Sequence, residues 1–133
     1  MKKRNSMGKL AVLIVIVFIT GCSSQATVSQ KPAAISGEAM EATMVDGVQQ
    51  ITLSWGRLNY APEIMKLKQG VPAKIIADTT RLTGCYRVLE IPALKLEKHF
   101  SENDRVLEFT PAKAGTYPFG CAMGMGSGTL VVE

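Results

Sequence analysis

The sequence predicts an all-β sandwich that follows an N-terminal targeting segment and a linker. From about residue 42 to the end, short runs of β-forming residues alternate with turn residues such as Asp-Gly, Gly and Pro. No segment in that part keeps a helical period of apolar residues over a useful length. The chain has 133 residues, and this length favours one folded domain.

Residues 1–21 have the order of a bacterial signal peptide. Four basic residues precede an unbroken apolar run, residues 10–19 (LAVLIVIVFI), and small and polar residues follow it. A membrane-spanning helix needs about 20 apolar residues, which is twice the length of this run. A permanent transmembrane helix is therefore the weaker interpretation.

The tetrapeptide Ile19-Thr20-Gly21-Cys22 ends this segment and resembles the bacterial lipobox. The resemblance implies that Cys22 is acylated and becomes the first residue of the mature protein. It also implies a place in the cell envelope, lipid-anchored to a membrane and facing the periplasm or the cell exterior. An ordinary secreted protein is the alternative, because Ser24-Gln25-Ala26 offers a second cleavage site.

The charge of the chain is concentrated in the targeting segment. Four of the 15 Lys and Arg residues, and none of the 11 Asp and Glu residues, lie within residues 1–21. The remainder is formally neutral, so the net charge of +4 says nothing about the mature protein. No nucleic-acid partner is expected.

Residues 22–41 are interpreted as the lipidated cysteine and a flexible linker. The segment 23–38 (SSQATVSQKPAAISGE) is rich in Ser, Gln and Ala and has no sustained apolar period. The folded domain is then expected to span residues 42–133.

Nine strands are predicted in this domain. Residues 42–45 and 48–55 flank Asp46-Gly47, a strong hairpin signal because glycine accepts a positive φ. The other seven strands, each bounded by turn residues, are 64–68, 73–79, 86–91, 95–98, 106–109, 116–120 and 128–133. This number and spacing of strands are typical of a sandwich or a barrel.

Sulfur-bearing side chains occur at two places in the domain. Cys85 follows Thr83-Gly84, where a strand is predicted to begin, and Cys121, Met123 and Met125 lie in a glycine-rich loop before the last strand. Alternate positions of an extended segment point to one side, so the three loop sulfurs can lie together. The surrounding glycines allow the backbone to curl around them.

A donor set made only of sulfur favours Cu(I), since thiolates and thioethers select soft, low-valent metals. A structural zinc site takes Cys or His ligands, and the only histidine, His99, lies in a charged stretch interpreted as a surface turn. The same lack of imidazole disfavours a stable Cu(II) site. The candidate metal ligands are Cys85, Cys121, Met123 and Met125.

Several short motifs resemble the cupredoxin-like, or plastocyanin-like, domains of membrane-anchored bacterial copper-resistance lipoproteins. In chain order they are Tyr60, Pro62, Gly70-Val71-Pro72-Ala73, Asp78, Cys85, Phe109-Thr110-Pro111, Gly115-Thr116-Tyr117 and Cys121-x-Met123-x-Met125. The resemblance implies a Greek-key β-sandwich. It also implies that Cys85 and a loop methionine stand where electron-transfer cupredoxins have histidine.

By this resemblance the protein binds Cu(I) and acts as a copper chaperone or buffer in copper handling. A copper exporter or another copper protein is then a partner, beside the copper ion and the membrane that holds the lipid anchor. The alternative is an accessory electron-transfer or structural lipoprotein with a Cys85–Cys121 disulfide. Such a bridge stabilises a fold by roughly 4 kcal/mol for a loop of this size, but it gives no role to Met123 and Met125.

Other residues have plainer interpretations. The aromatic residues Trp55, Tyr60 and Phe109 are expected in the core, and Glu63 is expected to be solvated. The sequence contains no Ser/His/Asp set, no paired histidines and no phosphate-binding loop. The protein is therefore not expected to be an enzyme.

Overall fold

Two β-sheets organise residues 37–133, the part of the chain that the computed structural model describes. Its strands are β1 (Ala39–Glu41), β2 (Thr43–Val45), β3 (Val48–Trp55), β4 (Tyr60–Ala61), β5 (Ile64–Leu67), β6 (Ala73–Ala77), β7 (Val88–Ile91), β8 (Leu96–His99), β9 (Val106–Phe109), β10 (Gly115–Gly120) and β11 (Ser127–Val132). Two short 3₁₀ helices, Gly84–Arg87 and Pro92–Leu94, flank β7. Within these residues no helix has the length and apolarity to cross a membrane. The predicted signal peptide and Cys22 lie outside the described residues.

The first sheet has the strand order β1-β5-β11-β10-β7-β8, and the second has β2-β3-β6-β9, with β4 paired to β3. Strand β5 is parallel to β1 and β11, and β3 is parallel to β6. The chain neighbours β2 and β3, and β10 and β11, are antiparallel hairpins. Consecutive strands such as β5 and β6 lie in different sheets, and the described domain is the predicted all-β sandwich.

The core lies between the two sheets. In β3 and β6, buried residues alternate with more exposed ones, the period expected of strands with one face covered. The second sheet contributes Ile51, Leu53, Ala73, Ile75 and Ala77, and the first contributes Met65, Leu67, Leu89, Leu130 and Val132.

The buried polar residues of the described domain are Gln49 and Thr79, and Gln49 is only 1% exposed. Its amide nitrogen donates to the carbonyls of Lys68 and Val71 at 2.8 and 2.9 Å, and its oxygen accepts the Lys68 N–H at 2.8 Å. These bonds satisfy the side chain, as a buried amide requires. They also fix the connection from β5 to β6.

The Asp46-Gly47 turn joins β2 and β3 as predicted. Asp46 and Gly47 have φ of 50° and 78°, and Val45 pairs with Val48 directly across the turn. Two consecutive positive φ values are the signature of the tight hairpin turn whose twist matches the strands.

All nine predicted strands are present, with bounds that differ by no more than two residues, and β1 and β4 are additional. Strand β1 lies inside the segment that the sequence assigns to the linker, so the folded part begins before residue 42. It pairs in parallel with β5, Ala39 opposite Ile64. All three of its residues are exposed, so no apolar alternation reveals it.

Some predicted strand starts are helical turns. Cys85 and Tyr86 lie in the first 3₁₀ helix, and Lys95 follows the second with a left-handed φ of 54°. His99 is exposed as predicted, but it ends β8 and does not lie in a turn.

Candidate metal centre

The loop between β10 and β11 holds three of the four candidate ligands. Gly120 and Ser127 form the last pair of the β10–β11 ladder, so residues 121–126 close a hairpin. The Cys121 N–H donates to the Gly126 carbonyl at 3.1 Å, and the Gly124 N–H donates to the Cys121 carbonyl at 2.9 Å. Gly124 has a φ of 69°, a conformation that favours glycine. The ladder and these bonds fix the position of Cys121.

Cys121 lies at the base of this loop and is 6% exposed. Its Sγ accepts the Met125 N–H at 3.3 Å. Burial opposes ionisation of the thiol, but backbone N–H groups of Met125, Met123 and Gly126 outweigh it and lower the pKa of Cys121. The loop backbone therefore favours the thiolate, which is the form that binds metal.

Cys85 approaches from the first 3₁₀ helix, directly after Gly84, whose φ is 56°. Its Sγ lies 4.0 Å from the Sδ of Met125, although the two residues are 40 positions apart. Burial raises the pKa of the Cys85 thiol, and the neighbouring Cys121 raises it further. Both cysteines are free thiols in the structure.

The methionines stand at the surface of the loop. Met125 is 58% exposed and Met123 is 71% exposed. Exposed methionines in a glycine-rich loop do not fill a core, the usual role of this residue. Met125 contacts both cysteines, through its Sδ to Cys85 and through its N–H to Cys121. Met123 lies between Cys121 and Met125 in the sequence, and its side chain is in solvent.

Two of the candidate sulfurs, those of Cys85 and Met125, lie within the separation that one soft metal ion can span. Two sulfurs that each bind one ion at about 2.3 Å, the length of a metal–thiolate bond, are separated by at most about 4.6 Å. The 4.0 Å separation of Cys85 Sγ and Met125 Sδ lies within that limit. Within residues 37–133 no group of three or more His, Cys, Asp or Glu side chains is placed to hold a metal.

An aromatic floor, formed by Trp55, Tyr60 and Tyr86, lies beneath the loop. The rings of Trp55 and Tyr86 stack with centroids 3.6 Å apart, and Trp55 meets Tyr60 edge-on at 5.4 Å. A Cβ on Gly126 would lie 2.7 Å from the Trp55 ring and 3.0 Å from the Tyr60 ring. Only a residue without a side chain lets the loop pack this closely.

Tyr60 is buried, as predicted, but its hydroxyl has a further contact. It donates to the Tyr86 carbonyl at 3.1 Å, which ties the helix that carries Cys85 to β4. Burial holds the pKa of Tyr60 well above its usual range, with added effects from Cys121 and Cys85, so the hydroxyl remains a donor.

Two residues near the ligands escape sequence reasoning. The Asn59 Oδ1 accepts the Ser127 N–H at 2.9 Å and fixes the end of the ligand loop. Tyr86 stacks on Trp55 immediately after Cys85. For Tyr86, the one sequence feature that places it near the site is its position next to Cys85. No feature of the sequence around Asn59 places that residue near the ligands.

Comparison with known proteins gives a family and a set of similar folds. A family model described as Cupredoxin-like domain matches residues 10–132. The metal-binding domain of the Cu(I)-exporting P-type ATPase CopA of Streptococcus pneumoniae, solved with Cu(I), is 26% identical; the match covers 73% of this chain and 97% of that domain, with a TM-score of 0.64. A copper binding protein solved by NMR in the apo form is 30% identical, with coverages of 71% and 97% and a TM-score of 0.63.

A reduced mutant of amicyanin shares the fold at 20% identity, with coverages of 68% and 86% and a TM-score of 0.50. No curated protein matches the chain significantly.

Proposed function

Because this chain belongs to the family of cupredoxin-like domains, we propose that it binds Cu(I) in the cell envelope and serves there as a copper chaperone or buffer. The convergence of Cys85, Cys121 and Met125 carries the proposal. Met123, on the same loop, is the proposed fourth ligand.

The chemistry of the donors supports Cu(I). Thiolates and thioethers are soft ligands, and thioethers in particular suit Cu(I) better than zinc or Cu(II). Two structures of similar fold are described as a domain with Cu(I) and as a copper binding protein, and both align over nearly their whole length.

The exposure of the ligands supports exchange of the ion with another protein. The thiol of Cys121 lies at the buried base of the site, whereas Met123 and Met125 face solvent. A ligand from the partner protein can displace a thioether while the thiolates still bind the ion. The partner proposed for this handover is a copper exporter or another copper protein, in keeping with the exporter domain that the fold resembles.

The proposed role is binding and handover and involves no catalysis. A carrier that cycles between Cu(I) and Cu(II) needs ligands that hold Cu(II), for which imidazole is the usual choice. The single histidine of the sequence, His99, ends β8 with its side chain exposed and contributes nothing to the site.

Substitution of single ligands tests this function. The reduced mature protein is titrated without oxygen against a chromophoric Cu(I) chelator. Cys85→Ser and Cys121→Ser should each weaken Cu(I) binding more than about 100-fold, the upper range for loss of a mere outer-shell contact. Met125→Leu should weaken it less, and Met123→Leu least, because leucine keeps the volume and removes only a thioether.

Met44→Leu is the matched control, since Met44 is 48% exposed on β2 and is not a proposed ligand. It should bind Cu(I) like the parent. Parental affinity in both cysteine variants would disprove the proposed function, and a blue colour with Cu(II) would favour the electron-transfer alternative. Parental affinity in both loop Met→Leu variants would reduce the site to two cysteines.

We propose that Cys22 anchors the protein to a membrane through lipid, on the basis of the motif at residues 19–22. Cys22→Ala should then stall processing or release the protein from membranes, as cell fractionation would show. A processed Cys22→Ala protein that still partitions with membranes would contradict the anchor without affecting the copper site.

A further inference from the structure

Asn59 and Tyr60 supply no proposed ligand, yet each bonds to a different segment that does. Asn59 Oδ1 accepts the N–H of Ser127, the residue that follows the ligand loop, at 2.9 Å. The Tyr60 hydroxyl donates to the carbonyl of Tyr86, the residue that follows Cys85, at 3.1 Å. We propose that this pair, termed the clamp, positions Cys85 against Met125 and thereby sets the affinity and the release rate of Cu(I).

The clamp stands on a rigid base. Asn59 and Tyr60 are consecutive residues at the tight turn between β3 and β4, where the Gly56 N–H donates to the Asn59 carbonyl at 2.7 Å. Tyr60 pairs with Trp55 across the β3–β4 ladder and is 1% exposed. Because the two residues are adjacent, their two bonds hold the ligand-bearing segments at one fixed separation.

The link matters most for Cys85 and Met125, because the ladder and the loop bonds fix Cys121 but do not reach the Met125 side chain. The Cys85 Sγ and the Met125 Sδ are 4.0 Å apart, but they lie on a 3₁₀ helix and on a loop separated by 40 positions. The Met125 side chain is more than half exposed, so few contacts restrain it. A metal site that is positioned before binding avoids the entropic cost of ordering its ligands.

The clamp also explains the close packing of Gly126. The backbone of Gly126 packs against the Tyr60 and Trp55 rings, and the N–H of the next residue, Ser127, donates to Asn59. The packing of Gly126 on the aromatic rings and the hydrogen bond of Ser127 to Asn59 therefore restrain the same end of the loop.

This inference rests on the proposed function and is tested with substitutions that keep shape. Asn59→Leu removes the acceptor at nearly constant volume, and Tyr60→Phe removes the hydroxyl but keeps the packed ring. Each should weaken Cu(I) binding about fivefold to tenfold, the effect of losing one net hydrogen bond. Each should also speed transfer of Cu(I) to a chelator by a similar factor in stopped-flow measurements.

Two controls separate positioning from general stability. Asn59→Asp keeps the acceptor oxygen and should keep near-parental affinity. Tyr117→Phe removes another bond from a tyrosine hydroxyl to a backbone carbonyl, that of Lys113 at 2.9 Å, which is exposed and lies away from the ligands. Its Cu(I) affinity and release should stay parental, and the free energies of unfolding of both apo Tyr→Phe proteins show how much of any loss of affinity follows stability.

The outcomes are distinct. If the parent itself fails to bind Cu(I), the proposed function is wrong. If the parent binds and both Asn59→Leu and Tyr60→Phe bind and release Cu(I) like the parent, the clamp is wrong. Equal loss of affinity in Tyr117→Phe and Tyr60→Phe would also overturn it, because the effect would then not depend on the bond beside Cys85. Should Asn59→Leu fail to fold, the comparison of the two Tyr→Phe variants still decides.

Discussion

Cys85 and Cys121 differ in the groups that surround their thiols. Cys121 receives backbone N–H groups, which lower its pKa despite burial. Cys85 lies partly buried beside the other thiol, and both effects raise its pKa. As pH rises, Cys121 therefore loses its proton first, and Cys85 still carries a proton that an incoming Cu(I) must displace.

This order predicts how binding depends on pH. Protons compete with Cu(I) for a thiolate below its pKa, so affinity should fall as pH falls, and binding should release protons. The rise of Cu(I) affinity with pH that is due to Cys85 should continue to higher pH than for an ordinary thiol. The rise that is due to Cys121 should level off at lower pH. Cu(I) competition titrations across pH would measure both.

The single-cysteine variants provide the check. Cys85→Ser should lose the pH dependence in the upper range, and Cys121→Ser should keep it, although both bind weakly. A steeper dependence at high pH in Cys85→Ser than in Cys121→Ser would contradict the assignment of the two thiols.

At the scale of residues, the sequence predicts donor types better than their surroundings. Cys85, Cys121 and Met125 stand out because cysteine is scarce and methionine is unusual among glycines, and the structure brings these three together. Asn59 and the hydroxyl of Tyr60 act through contacts 68 and 26 positions away. Such contacts leave no local spacing pattern in a single sequence.

The ligand loop is the element on which the site depends most, and its glycines are not equivalent. Gly126 is buried against the aromatic floor, and an added Cβ would lie 2.7 Å from the Trp55 ring. Gly124 faces open space, and only its φ of 69° opposes a side chain. Steric fit therefore constrains Gly126, and backbone conformation constrains Gly124.

Alanine at these two positions should separate the two constraints. Gly126→Ala should push the loop from its floor, destabilise the fold by about 1–3 kcal/mol and weaken Cu(I) binding strongly. Gly124→Ala should cost only about 1 kcal/mol, the strain of a left-handed residue, and change Cu(I) affinity less. Chemical unfolding of the apo proteins and chelator competition would measure both effects.

Equal Cu(I) affinities of Gly126→Ala and Gly124→Ala would show that contact between the loop and the aromatic floor does not position the ligands.

Elements were predictable to the extent that burial left a pattern. Strands β3 and β6 alternate buried and exposed residues, and the sequence predicts both. Strand β1 is wholly exposed and β4 has two residues, so backbone pairing with β5 and β3 defines them. The 3₁₀ helix at Cys85 is a single turn, too short for any periodicity to show.

At the scale of the whole molecule, the sandwich separates rigid from exchangeable parts. The cysteines come from segments next to β7 and β10, which pair through Glu90 and Gly120 in the same sheet. The methionines extend beyond the sheet into solvent. A ligand loop at the end of a sandwich can open without disturbing the core, which is the property that the proposed metal handover requires.

The oxidation state of the two thiols should control the function of the whole molecule. Both are free in the structure, and in the envelope location proposed for this protein thiols readily oxidise to disulfides. A Cys85–Cys121 bond would remove both thiolates at once and leave Met123 and Met125 as the only sulfur donors of the site. The oxidised protein should therefore bind little Cu(I) while it gains stability from the cross-link.

Treatment of the reduced mature protein with diamide, followed by removal of the reagent, would test this prediction under anaerobic conditions. Cu(I) uptake should be lost on oxidation and restored by reduction, and the oxidised form should unfold at higher denaturant concentration because a cross-link restricts the unfolded chain. Cys85→Ser is the control, since it cannot form the bond and should not gain stability from diamide. Equal Cu(I) uptake by the oxidised and reduced proteins would exclude the cysteines as principal ligands, because a disulfide sulfur offers the metal no thiolate.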